Sequence, residues 1–280
     1  MKKLNVEQNS PEWLKLRKNK IGASDATANM GVSPWRTPYQ LWSEKMGLSE
    51  TPQNDAMRRG LDLEPIARQK FIEEIEYGVF PVVALHESIS YMMASFDGLS
   101  EGGEIAVEIK CPGKEDHEMA MEGIIPEKYI PQLQHQMEVA NLQSMFYFSY
   151  TEKSYKMLEI ERKDKYIKDI IEKEKKFWDC MQNLEAPDLI DKDYIKREDE
   201  EWEKLAKEWI EICKIEERKE EIRKRLIEIS GRSNTMGGGI KLSKIPRKGT
   251  IDYRSIQELM EVDLEKYRKP TIETYRIGVY

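Results

Sequence analysis

Ser95-Phe96-Asp97-Gly98-Leu99 and, after a short loop, Ala106-Val107-Glu108-Ile109-Lys110 decide how this chain is read. They set Asp97, Glu108 and Lys110 in a D-x10-E-x-K arrangement. Side chains alternate along a strand, so Ile105, Val107 and Ile109 point one way and Glu108 and Lys110 the other. The first face is apolar and can pack on a core. The second sets a carboxylate beside an ammonium, with Asp97 arriving from the preceding strand. Converging carboxylates offer the hard oxygen donors that Mg²⁺ takes. A lysine beside them can orient or deprotonate a water, or stabilise charge developing on a phosphate. These are the parts needed to cut a phosphodiester. The plain alternative is a solvated strand face with an ordinary ion pair, and Asp97-Gly98 in a hairpin turn. Agreement with other segments decides between the two.

The 280 residues suffice for one large domain, or for one domain with an appendage. Charged residues make up 35% of the chain and hydrophobic ones 39%, which predicts a heavily solvated surface. No apolar run approaches the ~20 residues of a membrane helix. Met1-Lys2-Lys3-Leu4-Asn5 lacks the apolar core of a secretory signal, so a cytoplasmic location is expected. Cys111, Cys180 and Cys213 are widely spaced, which predicts no disulfide framework, zinc site or iron–sulfur cluster. A net charge of −7 argues against coating nucleic acid through overall charge. It leaves room for a nuclease, which needs acidic metal ligands and only local basic surface. Residues 1–20 hold six Lys/Arg against Glu7 and Glu12, and residues 233–250 hold Lys241, Lys244, Arg247 and Lys248 with no acid.

Ser10-Pro11 opens a helix over residues 10–20, with Ser10 as N-cap. Helices are also expected over 39–46, over 57–77 with Ile66, Phe71 and Ile75 as apolar contacts, over 126–142 and over 165–184. Pro65 implies a start or kink in the second of these. Strands are expected over 79–85, 89–96, 105–110, 143–150 and 155–160. This is an α/β (α+β) pattern of about five strands in a mixed sheet flanked by helices. A boundary near residue 190 separates it from an extension over 191–280. There Trp202, Leu205, Trp209 and Ile212 make a narrow apolar stripe on a charged helix over 197–229. A hairpin of 240–246 with 250–253 is expected beyond it, with Arg247-Lys248-Gly249 at its tip.

Four further segments bear on the chemistry. Glu64 is a third carboxylate on a helix. Tyr129, Gln132 and Gln136 share one helical face, where neutral amides could position a phosphate or a water without competing for Mg²⁺. Gln134 and His135 project elsewhere, and His135 is expected at the surface. Arg17 could hold a phosphate through two hydrogen bonds, with Ser24 adding a hydroxyl or a helix N-terminus.

Arg17-x6-Ser24-Asp25, Gly60-x3-Glu64, Ser95-Phe96-Asp97-Gly98, Glu108-Ile109-Lys110-Cys111-Pro112 and Tyr129-x2-Gln132-Leu133-Gln134 follow one another in this order. The set resembles the phage lambda exonuclease family, and within it the YqaJ-type viral recombinases of the PD-(D/E)xK nuclease superfamily. The resemblance covers roughly residues 8–185. It implies a restriction-endonuclease-like core and a Mg²⁺-dependent exonuclease, with Mn²⁺ able to substitute and one or two ions per site. Asp97, Glu108 and the backbone carbonyl of Ile109 would bind the metal, with Glu64 assisting and Glu87 where the family often has another acidic ligand. Lys110 would hold the attacking water, and Gln132 would touch the scissile region or the terminal phosphate. Arg17, Ser24 and Ser95 would form a 5′-phosphate pocket. The resemblance further implies 5′→3′ cutting of double-stranded DNA ends, a single-strand annealing partner, a homo-oligomer that could close into a ring, and the cytoplasm of a bacterial host if phage-encoded. Phe96 stands where the superfamily commonly has proline. A structure-specific or restriction-type endonuclease on the same core, and a catalytically idle DNA-binding or assembly protein, are the alternatives.

Overall fold

The apolar runs around residues 80–110 become the centre of a sheet in a computed structural model that describes residues 1–52 and 54–245. In chain order the elements begin with β1 (Lys2–Leu4), α1 (Pro11–Lys18), β2 (Ile21–Gly22), α2 (Ala23–Asn29), α3 (Pro38–Lys45) and α4 (Asp55–Ile75). The strands β3 (Phe80–Leu85), β4 (Met92–Leu99) and β5 (Ala106–Lys110) follow, then α5 (Lys114–Met121) and α6 (Ile130–Ala140). The strands β6 (Ser144–Tyr150) and β7 (Tyr155–Glu161) and the helix α7 (Asp164–Asn183) come next. The last elements are α8 (Glu200–Ile229), β8 (Thr235–Gly237) and β9 (Ile240–Leu242).

Seven strands form the main sheet, in the order β1-β3-β4-β5-β6-β7 with β2 beside β4. The two beyond the expected five are β1 and β2, only three and two residues long. Such lengths are too short for a period of two to register in sequence. β5 and β6 pair in parallel, so the chain crosses between them through α5 and α6. The other main neighbours are antiparallel, apart from the short β2–β4 pair.

Both faces of the sheet are covered. Phe96 and Tyr147 on one face share a buried cluster with Leu133 and Met137 of α6 and Phe177 of α7. On the other face Val107, Ile109 and Phe148 meet Phe71 of α4, whose ring lies 5.6 Å from Phe146 and 5.5 Å from Phe148. Burying Phe71 fully contributes roughly 2–3 kcal/mol. The inward row of α4 is Ala67, Phe71 and Ile75 at a spacing of four; Ile66, expected among the contacts, is exposed. The helix runs on through Pro65.

Gly98 sits inside β4, not in a turn. A Cβ there would lie 2.7 Å from both Val107 Cγ1 and Val79 Cγ2. Gly98→Ala is therefore expected to force the strands apart at the residue next to Asp97. A loss of roughly 1–3 kcal/mol in urea unfolding is the expected size, and an unchanged midpoint would contradict it.

His135 is a correction: it is fully buried, not at the surface. Its Nδ1 lies 2.7 Å from Glu174 Oε1 of α7, and its Nε2 lies 2.9 Å from the carbonyl of Met93 in β4. Burial works against its charged form, but Glu174 outweighs this and raises its pKa. Gln134 is buried too, accepting from the Lys163 N–H and donating to the Glu161 carbonyl.

Contacts divide the chain into Met1–Ile195 and Lys196–Tyr280. Within the first unit, Thr37 Oγ1 donates to Asp193 Oδ1 at 2.5 Å. In the second unit, α8 starts on an Asp199 cap and exposes Trp202, Leu205, Trp209 and Ile212. A short hairpin precedes the expected one. Ile240–Leu242 pairs with Thr235–Gly237 through a turn at Gly238 and Gly239, whose φ values are +56° and +82°. Two successive positive-φ glycines make the tight turn that a two-residue hairpin loop favours. Arg247, Lys248 and the segment 250–253 lie outside the described residues. No described helix is long and apolar enough to cross a membrane.

Candidate active site

β4 and β5 keep register only at Gly98↔Val107 and Leu99↔Ala106. One residue further on they part, and a side chain fills the fork. Asp97 Oδ2 accepts the Ile109 N–H at 2.8 Å, in place of a ladder carbonyl. Glu108 enters from β5 and is only 2% exposed, which removes the solvated-face reading. Lys110, on the same face, donates to Glu108 Oε1 at 2.5 Å.

α6 closes over this carboxylate. Gln132 Nε2 donates to Glu108 Oε1 at 2.5 Å and Gln136 Nε2 to Oε2 at 2.6 Å, the four-residue spacing putting both amides on one face. Tyr129 completes that face, with its ring centroid 5.4 Å from Lys110 Nζ. Glu64 reaches in from α4 and pairs with Arg68, whose Nε donates to the Asp97 carbonyl at 2.5 Å. Arg68 was not read from sequence; its only signal is the i,i+4 spacing from Glu64.

Burial, then the charges of Glu108 and Glu64, hold the Asp97 carboxyl well above the usual aspartate range. Burial also raises Glu64, against the pull of Arg68 and with the push of Glu108. Lys110 loses solvation on burial, yet Glu108 and Asp97 outweigh that and raise its pKa. Three carboxyl groups, all hard oxygen donors, thus meet two cations, Lys110 and Arg68. Gln136 Oε1 is a buried acceptor without a partner beside it. That donor set fits a divalent cation. Among the described residues no three acidic, His or Cys side chains already close on one point. Lys110, Gln132 and Gln136 occupy the Glu108 oxygens, and Arg68 occupies Glu64.

A second group of residues connects to the first through β4. Gln136 Nε2 also donates to the Ser95 carbonyl at 3.1 Å, and Ser95 Oγ accepts from the Trp13 indole at 2.8 Å. The Arg17 guanidinium lies 5.1 Å from the Trp13 ring centroid, and Arg17 Nη2 donates to Ser24 Oγ at 2.7 Å. Arg17, Ser24 and Ser95 thus meet around one tryptophan, Trp13. Asp25 anchors the group. It is fully buried and receives Lys45 at 2.6 Å, Arg36 at 2.7 Å and the Gly22 N–H at 3.0 Å, with Arg17 at 3.6 Å. Burial disfavours its charge, but Lys45, Arg36 and Arg17 together hold its carboxyl far below the usual range.

Glu87 does not join the cluster, a correction to the expected ligand set. It lies in the β3–β4 loop, 87% exposed, with the Met1 amine 3.7 Å away. That loop is at the opposite end of β4 from Asp97, because Leu85 pairs with Met93. Lys241 and Lys244 belong to the second unit, where the Lys244 N–H donates to Asn234 Oδ1 at 2.6 Å.

The YqaJ-like viral recombinase domain family matches residues 12–143, the span that holds Arg17, Ser24, Glu64, Ser95, Asp97, Glu108, Lys110 and Gln132. The uncharacterised protein YqaJ of Bacillus subtilis is 32% identical over 196 residues, which are 66% of this chain and 60% of that protein. The chain thus spans less than two thirds of that relative's length. An alkaline exonuclease from Laribacter hongkongensis, LHK-Exo, is 31% identical with a TM-score of 0.55. The likeness covers 62% of this chain and 94% of that one. The complex of LHK-Exo with dAMP matches at 30% identity and the same TM-score, 0.55. A strand fork closed by Asp97 and Glu108 and these likenesses lead to one conclusion: residues 12–143 of this chain match the YqaJ-like viral recombinase domain.

Proposed function

We propose that this protein is a Mg²⁺-dependent deoxyribonuclease that shortens double-stranded DNA from its ends, 5′→3′, and leaves single strands for recombination. The observation that carries the reading is the meeting of Asp97 and Glu108 at the β4–β5 fork, with Lys110 bonded to Glu108. Asp97, Glu108, the Ile109 carbonyl and Glu64 would hold one or two Mg²⁺ ions, and Mn²⁺ would substitute. Bound there, the ion would supply Lewis-acid polarisation of the phosphate and a water acidic enough to react near neutral pH. Lys110 orients the attacking water and offsets charge on the phosphate as it develops. Gln132 and Gln136 hold Glu108 in place while adding no charge that would compete with a cation. Arg17, Ser24 and Ser95 hold a terminal 5′-phosphate, which favours ends over internal cutting. That the relative LHK-Exo is an alkaline exonuclease supports a preference for ends. A single-strand annealing protein would take the product, a homo-oligomeric ring would keep the enzyme on its track, and the setting would be the cytoplasm.

Linear duplexes labelled at either end, with and without 5′-phosphate, test this in Mg²⁺ and in EDTA. Progressive shortening from the phosphorylated 5′ end in Mg²⁺, and none in EDTA, is expected. Cutting of a closed circular plasmid would move the assignment to an endonuclease. Binding without hydrolysis in either Mg²⁺ or Mn²⁺ would remove the enzyme.

A further inference from the structure

We propose that the indole of Trp35 is a stacking platform for an unpaired nucleobase at the DNA end, set beside the cutting site. The inference rests on the nuclease reading and adds to it a binding subsite for a base.

Trp35 is 64% exposed, yet its loop is pinned on every side. Ser33 Oγ accepts the N–H groups of Trp35 and Arg36, both at 3.2 Å. Arg36 bridges Asp25 and Glu44, each at 2.7 Å. Thr37 caps α3 and donates to Asp193. A mobile loop would let an exposed indole fold back onto the protein. This one holds a large aromatic surface in water on a fixed backbone, and the ordering a ligand would otherwise require is already present.

The neighbours of the ring define what it fits. Its centroid is 6.3 Å from that of Tyr129, with the rings tilted by 34°. Lys128 Nζ lies 5.4 Å from the Trp35 centroid and 5.5 Å from that of Tyr129. Lys110 Nζ lies 5.4 Å from the Tyr129 centroid. One aromatic ring therefore separates Trp35 from the ammonium at the cutting site. Asp116 pairs with Lys128 at 2.7 Å and accepts the Tyr129 hydroxyl at 3.0 Å, which fixes both groups.

An aromatic face with an ammonium beside it is the arrangement that binds single-stranded nucleic acid, the ring taking a base and the cation its phosphate. An intact duplex shows only base edges in its grooves. A flat indole can therefore stack only on a base that has left its pair or ends the helix. Every base has a π-face, so no sequence preference follows.

The test uses the full chain and a duplex whose 5′-terminal nucleotide is 2-aminopurine opposite a mismatch, with Ca²⁺ in place of Mg²⁺. Wild type is expected to quench the fluorescence of the terminal base and to leave an internal 2-aminopurine unchanged. Trp35→Ala is expected to lose the quench and to bind the end roughly tenfold more weakly. Trp35→Phe is expected to restore most of both. In Mg²⁺, Trp35→Ala is expected to raise KM for linear duplex by a similar factor. Equal quenching and equal affinity in wild type and Trp35→Ala overturn the inference while cleavage by wild type leaves the nuclease reading standing. If wild type neither binds nor shortens DNA, both fall together. Trp35 is exposed, so the melting temperature of the variants is expected to match wild type.

Discussion

Asp25→Ala is expected to destabilise the protein by about 3–5 kcal/mol, a large share of the ~5–15 kcal/mol that holds a typical domain folded. The carboxylate is the common partner of Lys45, Arg36 and Arg17. The two arginines are part-exposed and can turn to water, whereas the Lys45 side chain is 5% exposed and cannot. Removing Asp25 leaves that ammonium buried with only the carbonyls of Arg17 and Lys20, at 2.8 and 2.7 Å. Urea unfolding would report the loss, and adding Lys45→Met should recover most of it, because the stranded charge goes too. A double variant as unstable as Asp25→Ala alone would contradict this account. The pH dependence has a definite sign. The carboxyl of Asp25 is depressed in the folded state, so its stabilisation is complete above about pH 4 and fades as pH falls below that. Wild type should therefore lose its advantage over Asp25→Asn in acid.

Asp97→Asn is expected to abolish hydrolysis, with a loss on the order of a thousandfold or more, while raising the stability of the cation-free protein. The two effects share one cause. Asp97 sits half-buried near Glu108 and Glu64 with its carboxyl held above the usual range. In that state the folded protein binds a proton that the unfolded chain has released, so its contribution to stability declines as pH rises above about 4. Asparagine keeps the acceptor for the Ile109 N–H and removes the repulsion. In EDTA the melting temperature of Asp97→Asn should exceed that of wild type, by a gap that widens as pH rises. Mg²⁺ should raise wild type and close the gap, with little effect on the variant. Equal melting temperatures at all pH values, or full activity in Asp97→Asn, would sink the metal assignment. Lys110→Ala should also be inactive, but it strips a cation from Glu108 and so mixes the two effects.

The legible parts of the site were those whose partners lie close in sequence. Strand alternation put Glu108 and Lys110 on one face, and helical spacing put Tyr129, Gln132 and Gln136 on another. Those elements are short and strongly patterned, so local geometry carries the information. His135 was misplaced because its partners, Glu174 and Met93, are far away along the chain, and a lone histidine looks the same at a surface as in a core. Glu87 was misplaced because the loop that carries it enters β4 at the end opposite Asp97, which only the pairing of Leu85 with Met93 shows. The pairing of Thr235–Gly237 with Ile240–Leu242 went unread because three-residue strands are too short for a period of two to register in sequence.

From the chain alone came the alternating strands, the ordered carboxylates with their lysine, and the amide-bearing helix. Each follows from periodicities of two or of three to four residues, which need no knowledge of the rest of the molecule. Folding alone decided that β4 and β5 part just where Asp97 stands, and that Asp25 collects three cations, from α1, from α3 and from the loop before α3. It likewise left Trp35 in water beside Lys128, one aromatic ring away from the lysine at the fork. These depend on distances between segments far apart in sequence, and chain order does not encode such distances locally.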